Sequence, residues 1–570
     1  MAKLGKGVTV EQVKHGSHHL RGGIATSLAA ADAGFAPGDQ ALIKFHGLYE
    51  GYDRDSATAL KQRGEDKAHQ FMARVRIPGG RLTAAQYLEL DRLADLYGNA
   101  TLRITTRQAI QFHGVLKIEL KELLAGIDSV LLTTLAACGD VVRNVTTTPA
   151  PIADGVHRRL AEDARRLSSH FLPRTGAYRE IWLDGEPVAA GPADGEEEPL
   201  YGANYLPRKF KIGLATPDDN SIDVLTNDLG IIALFEGGQL TGYNLALGGG
   251  LGMTHNKPKT YPRLATPIVF VGADGLIAAA DAVVRLQRDH GDRADRKHAR
   301  LKYLVDDKGP AWIKAQLESY LGHALEPARP MPRFRIVDHL GIHDQGDGKC
   351  YLGIPVPSGR VADSAAAQLR AGLNAVIRHY APSIVLTPWQ DIILADLDRD
   401  AAVAVEAALH ARGVRLAGDM TPVERWSLAC PALPTCGLAL TEAERVRQPL
   451  MEQIADALAE AGIPDELLSV RITGCPNGCA RPYAGDIGIV GRMPGFYALY
   501  VGGDFAGTRM NSQLLDKVAM GEIAVTLAPL FRLFAAERIA EEGFGDFCHR
   551  VGLNRLRDEV AAARPAAVAV

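Results

Sequence analysis

Alternating and periodic stretches define the first compact unit of the chain. Phe71-Met-Ala-Arg-Val-Arg-Ile77 alternates as a strand does, and Pro78-Gly-Gly80 turns it. Apolar positions at Leu82, Tyr87, Leu88, Leu90, Leu93 and Ala94 predict a helix over roughly 83–97. A second strand is expected from Thr101 to His113. Alternation would place Arg103, Thr105, Arg107, Gln111 and His113 on one face, and Leu102, Ile104, Ile110 and Phe112 on the other. Arg74 and Arg76 share a face just before the Gly-Gly turn. Residues 1–65 show little periodicity and read as an extended N-terminal arm wrapped on a neighbouring domain or subunit.

The pattern then returns. Leu352-Gly-Ile-Pro-Val-Pro-Ser-Gly-Arg360 echoes Val75-Arg-Ile-Pro-Gly-Gly-Arg81, and Ile384-Val-Leu-Thr-Pro-Trp-Gln-Asp-Ile392 echoes Leu102-Arg-Ile-Thr-Thr-Arg-Gln-Ala-Ile110. Gly242-Tyr-Asn-Leu-Ala-Leu-Gly-Gly249 likewise matches Gly495-Phe-Tyr-Ala-Leu-Tyr-Val-Gly-Gly503 with one residue inserted. An internal duplication explains these echoes: small mixed units at 66–130 and 345–415, each followed by a larger one, at 131–330 and 416–560. The expected class is α+β, with mixed α/β units, two halves about a pseudo-twofold and a functional cleft between them. Asp194-Gly-Glu-Glu-Glu198 reads as an acidic loop, and the Ala/Val-rich end after Ala561 as a loose tail.

Composition narrows the class. A net charge of −4 supplies no global attraction to nucleic acid or membrane, so an anion site must be a local concentration of Arg and Lys. Seven cysteines in 570 residues argue against a disulfide framework and for a reducing compartment, the cytoplasm by default. No signal-like N-terminus and no apolar run of about 18 residues is present.

Two features carry chemistry. Cys430-Pro-Ala-Leu-Pro-Thr-Cys436 and Cys475-Pro-Asn-Gly-Cys479 set four cysteines in turn-forming Pro and Gly. Four thiolates suit an iron–sulfur cluster; the alternative is structural zinc, which the five-residue gap fits poorly. The first half has no such cysteines but is rich in cations. Besides the 101–113 strand it has Arg143, then Arg208, Lys209 and Lys211 in Leu206-Pro-Arg-Lys-Phe-Lys211. Arg293, Arg296, Lys297 and Arg300 are spaced as one face of a helix, with Lys302 just beyond. Each set has an ordinary reading as a solvated basic face. Together with a thiolate cluster they suit a polyanionic cofactor, its carboxylates held by arginine and lysine.

These motifs resemble the sirohaem-dependent nitrite and sulfite reductases, above all the haemoprotein subunits of assimilatory sulfite reductases. The resemblance runs through Ile43-Lys-Phe-His-Gly47, Arg76-Ile-Pro-Gly-Gly80, Arg103 to Gly114, Arg143-Asn144, Leu206 to Lys211, Asp295-Arg-Lys297 and both cysteine motifs. It implies two ferredoxin-like half-domains and two cofactor-binding domains. It implies a [4Fe-4S] cluster on Cys430, Cys436, Cys475 and Cys479, with the Cys479 sulfur also axial to the sirohaem iron. Arg103, Arg107, Gln111, His113, Arg208, Arg300 and Asn477 become cofactor contacts, and Arg76, Arg143, Lys209 and Lys211 the pocket for the substrate anion. The implied reaction is six-electron reduction of sulfite to sulfide. No NADPH or flavin module is evident: Gly248-Gly-Gly-Leu-Gly252 lacks dinucleotide spacing. The implied donor is therefore a flavoprotein (alpha) subunit or a ferredoxin.

The chain departs from the family pattern in Lys297-His298-Ala299-Arg300, where an asparagine is usual at 298, and in the apolar Thr387-Pro-Trp-Gln390. Nitrite reduction to ammonia is the alternative within the family; a non-enzymatic iron–sulfur scaffold is the alternative outside it. Cys138, Cys350 and Cys548 lack ligand spacing and read as ordinary thiols.

Overall fold

A computed structural model describes residues 8–174, 177, 181–183, 186–189 and 198–563. The duplication appears as two pairs of matching sheets. In the first small sheet the strands run in the order Leu48–Tyr52, His69–Arg74, Ile110–Val115, Leu102–Ile104 and, at the far edge, Arg360–Val361 from the second half. The second small sheet runs Gly341–Asp344, Cys350–Ile354, Ile392–Leu397, Ser383–Leu386 and then Arg81–Leu82 from the first half. Each half thus completes the other's sheet. The crossing needs close backbone approach: a Cβ on Gly80 (φ 73°) would strike the Leu386 carbonyl, and one on Gly359 (φ 74°) the Ile104 carbonyl. Helices Ala84–Tyr97 and Leu120–Ser129 cover one sheet and Leu369–Tyr380 and Arg399–His410 the other. One apolar core runs through both, taking in Ile104 and Phe112 with Ile392 and Leu394.

The larger units also match. Strand Ile212–Ala215 lies parallel to Leu229–Glu236, as Val470–Thr473 lies parallel to Ile487–Met493. The echoed segments 242–249 and 495–503 supply the next strands, Gln239–Leu247 and Phe496–Val501.

The structure corrects several expectations. Thr101–His113 is a hairpin, not one strand: Gln108 takes φ 50°, Gln108 N–H donates to Thr105 O, and Arg103 pairs with Gln111 across the turn. Side-chain alternation therefore does not carry through 105–109. The basic run 293–300 is a turn, with the helix starting only at Leu301. Asp292 accepts from the Ala294 and Asp295 N–H groups and Asp295 from Lys297, local bonds that compete with helix formation. The N-terminal arm is helical over Val10–His15, Ile24–Ala29, Pro37–Leu42 and Ala57–Gln62, and its strand Leu48–Tyr52 belongs to the first sheet. Helix Leu553–Ala563 takes up the start of the expected tail. The rest of that tail and residues 194–197 of the acidic loop lie outside the described residues.

Candidate cofactor and anion site

Parallel strands bring the cysteine pairs together. Ser427–Ala429 and Val470–Thr473 end at the same sheet edge, and each runs straight into a cysteine loop. Cys430 N–H donates to Ile472 O (3.1 Å), Gly474 N–H to the Cys430 sulfur (3.3 Å), and the Asn477 amide to the Cys475 sulfur (3.4 Å). Cys430 and Cys475 are buried, Cys436 half-buried and Cys479 exposed. Burial and then mutual repulsion, Cys479 foremost, push the Cys430 and Cys436 thiols up and the Cys475 thiol to about 12. Four thiolates so placed need a cationic occupant. No three His, Cys, Asp or Glu among the described residues converge closely enough to hold a single metal ion; a cluster of several irons spans a wider ligand set.

Opposite Cys479 stand cations from the first half. Segment 206–211 is zipped against 140–143: Leu206 N–H donates to Asp140 O, Phe210 N–H to Val141 O and Arg143 N–H to Phe210 O. With Phe210 buried, Lys209 and Lys211 stay partly exposed deep within the protein, near enough to Cys479 that a thiolate there favours both ammonium groups. Burial, then Arg208, Arg300 and Arg143, hold Lys209 down at about 7; burial, then Arg107 and Lys209, hold Lys211 well below the ordinary lysine value. Arg107 donates to Asn227 Oδ1 and to the Asn144 and Ile212 carbonyls, yet its buried Nε has no partner among the described residues. Arg74, Arg107, Arg143, Lys209 and Lys211 are beyond ion-pair distance of any described carboxylate; Asp228 is taken by Arg300 and Asp140 by Arg296. Mutually repelling thiols beside unneutralised cations fit the iron–sulfur cluster and polycarboxylate haem that the sequence resemblance implies.

Not every residue singled out in the sequence joins this group. The Arg76 guanidinium is buried and spent on Ser168 Oγ (3.0 Å) and the carbonyls of Ala136 (3.1 Å), Val142 (2.9 Å) and Ser168 (3.1 Å). Arg74 instead is turned toward this group: it donates to the Cys138 sulfur (2.9 Å), its Nη2 and Nε lie against the Gln111 amide, whose oxygen accepts from both (2.5 and 3.2 Å) once the amide is turned over, and its charge reaches Arg107 and His113. The signal for it was the pairing of Arg74 with Gln111, which only the sheet register reveals. Arg103 reaches the cysteine half, donating to Ala429 O (3.0 Å) and Glu444 (3.0 Å). His113 faces Arg360 (3.0 Å), and burial, then Arg360, push its pKa well down, so the ring is neutral. Arg208 is partly exposed near Asp140 (3.9 Å), and Asn477 is exposed.

Sequence reasoning missed Glu444, which binds both Arg103 and Arg360, and gave no task to Lys302, whose ammonium donates to the Gly250 and Gly252 carbonyls (3.0 Å each) and to that of Tyr261. The Gly248–Gly252 run is no nucleotide loop. It backs the cysteines, with Met253 N–H donating to Pro476 O (2.9 Å). A cleft of about 760 Å³ opens between 256–260 and 292–298, lined by Lys257, Lys259, Lys297 and His298; the cysteines do not line it.

Comparison with known proteins agrees with this architecture. A family model for the nitrite and sulphite reductase 4Fe-4S domain matches residues 162–325 and 424–566, and one for the nitrite/sulfite reductase ferredoxin-like half domain matches 62–130 and 343–412. The chain is 44% identical to a sulfite reductase [ferredoxin] of Synechococcus elongatus, over 96% of this chain and 90% of that protein. It is 45% identical to a sulfite reductase [NADPH] hemoprotein beta-component of Myxococcus xanthus, over 95% and 96%. The solved structure of the NirA protein of Mycobacterium tuberculosis superposes with a TM-score of 0.78 at 25% identity, over 96% of this chain and 97% of that one.

Proposed function

The chain belongs to the nitrite and sulfite reductase family, and on that premise we propose that it reduces sulfite to sulfide, with sirohaem and a [4Fe-4S] cluster as resident cofactors. Cys430, Cys436, Cys475 and Cys479 would hold the cluster, Cys479 also the haem iron; Arg107, with no carboxylate partner among the described residues, and Arg208, 3.9 Å from Asp140, are suited to the haem carboxylates, while Arg300 is held by Asp228. When bound, the two centres supply electrons and an open iron position for the substrate. The carrying observation is that the exposed Cys479 lies within electrostatic reach of Lys209 and Lys211, and Arg143 within reach of Lys209.

The protein's own residues account for binding and protonation. Arg74, Arg143, Lys209 and Lys211 gather positive charge where an oxyanion must sit and where charge develops as oxygen departs. Sulfite loses its oxygens as water, so each departing oxygen needs protons. An ammonium whose pKa is pulled down by burial and neighbouring cations gives up its proton far more readily than an ordinary lysine, which suits Lys209, held at about 7, and Lys211, held well below the ordinary value, to that delivery. Arg76 is better read as the brace of this pocket, and Arg74 as its anion contact.

Electrons would come from a separate protein, a ferredoxin or a flavoprotein subunit, the two kinds of donor that the relatives' names carry. No helix among the described residues is long and apolar enough to cross a membrane, and all seven cysteines are free thiols, as suits the cytoplasm.

The test is the purified full-length chain, assayed for its visible spectrum, iron and acid-labile sulfide, and for sulfide or ammonia production with an artificial reductant. A haem and cluster spectrum with faster turnover of sulfite than of nitrite is expected; preferred nitrite reduction would move the chain to the other family activity, and cofactors without turnover to a scaffold. Cys479→Ser should lose the coupled chromophore, and Lys211→Met should keep the cofactors but lose most sulfite turnover.

A further inference from the structure

Cys479 is exposed on a loop, so something else must fix where its sulfur stands. Two reciprocal bonds join that loop to the turn bearing Arg107. Thr106 Oγ1 donates to Cys479 O (3.2 Å), and Arg481 Nη1 donates back to Thr106 O (3.4 Å). Arg481 Nη2 also reaches Pro388 O (3.2 Å), in the matching turn of the second half. The remaining face of the guanidinium meets Asp223 of the first half, with Nε 2.5 Å from the carboxylate but without hydrogen-bond alignment. Arg471 completes the group, its Nη1 2.6 Å from Asp223 Oδ2. Asp223 and Arg471 are both fully buried.

The duplication makes this pairing informative. Asp223 and Arg481 occupy equivalent places in the two halves. Each has left-handed backbone (φ 48° and 57°) and heads a short 3-10 turn, Val224–Thr226 or Pro482–Ala484, before the strand beginning at Leu229 or Ile487. Left-handed backbone is unfavourable for a non-glycine residue and is kept where surrounding contacts impose it. Equivalent residues of opposite charge therefore meet at the join of the halves, one of them two residues from Cys479.

We propose that Thr106, Asp223 and Arg481 form a positioning clasp that sets the Cys479 sulfur against the cation-bearing turn of the first half. None of the three touches substrate; they act through Cys479. The inference rests on the reading that Cys479 holds the coupled cofactors.

Thr106→Val removes the hydroxyl donor at nearly constant volume, and Thr106→Ser keeps it. In the cofactor-loaded full chain, Thr106→Val should retain the parent's iron, sulfide and haem content yet shift the haem absorption maximum and the reduction potential of the cluster, with Thr106→Ser restoring both. An unshifted spectrum and potential in Thr106→Val would overturn the clasp. Arg481→Lys should shift both in the same sense, and failure of that variant to fold leaves the Thr106 pair decisive. If the parent carries neither haem nor cluster, the functional reading fails and the clasp is read from thiol chemistry instead. Iodoacetamide should then modify Cys479 several-fold faster in Thr106→Val than in the parent, and equal rates would overturn it.

Discussion

Arg74 and Arg76 are two positions apart and chemically identical, yet their surroundings give them opposite tasks. Arg76→Gln strips donors from the carbonyls of Ala136, Val142 and Ser168, and the cost should be about 3 kcal/mol, read as a lower thermal midpoint with the sulfite KM of the surviving enzyme near that of the parent. Arg74→Gln should leave the midpoint nearly unchanged and raise the sulfite KM about tenfold to a hundredfold, the worth of one or two charged hydrogen bonds. Lys209 predicts a pH effect. Burial and neighbouring guanidinium groups hold it at about 7, so the pocket loses a positive charge as pH rises through that value. Nitrite, whose own charge is constant there, should bind more weakly at pH 8 than at pH 6, and Lys209→Met should flatten the profile. In the empty protein the sign for folding is the reverse. Below about 7 the folded state must bury a charge the unfolded chain carries in water, so stability rises with pH from about 7 toward the ordinary lysine range.

Local elements decide how much of this was legible. Cysteine spacing and the echoes between halves are properties of the sequence itself; the echoed segments 242–249 and 495–503 do form matching strands, and the two cysteine loops leave neighbouring parallel strands. Alternation failed at 105–109 because Gln108 turns the chain, and helical spacing failed at 293–300 because Asp292 and Asp295 bond locally; in both cases local bonding or backbone conformation outweighed the periodic signal. The distinction between Arg74 and Arg76 was invisible because it depends on strand register against Gln111 and on Ser168, 92 residues away from Arg76. The glycine run 248–252 was weighed in the sequence only as a dinucleotide motif, and its part as a support was not legible there. A Cβ on Gly249 would collide with the carbonyls of Leu225 and Asn227, while Met253 holds Pro476 beside the cysteines. Gly249→Ala should therefore destabilise the loop by about 1–3 kcal/mol and lower iron and haem content together, measurable by metal analysis of the purified variant.

At the scale of the molecule, the halves are one cooperative body. Leu82 and Val361, each buried in the other half's sheet, tie the two into a shared core. Leu82→Ala should cost about 2–5 kcal/mol and lower the unfolding midpoint of both halves together. A break after the exposed Val337 should yield two fragments that aggregate when made separately and recover sulfite turnover when made together. The strand exchange also governs how the protein is born. The sheet begun by residues 48–115 stays one strand short until Val361 has left the ribosome, and the thiols of 475–479 emerge later still. Cofactor insertion must wait for a nearly finished chain, with an exposed sheet edge in the interval. Translation speed and chaperone supply, rather than metal supply alone, then set the yield of loaded protein.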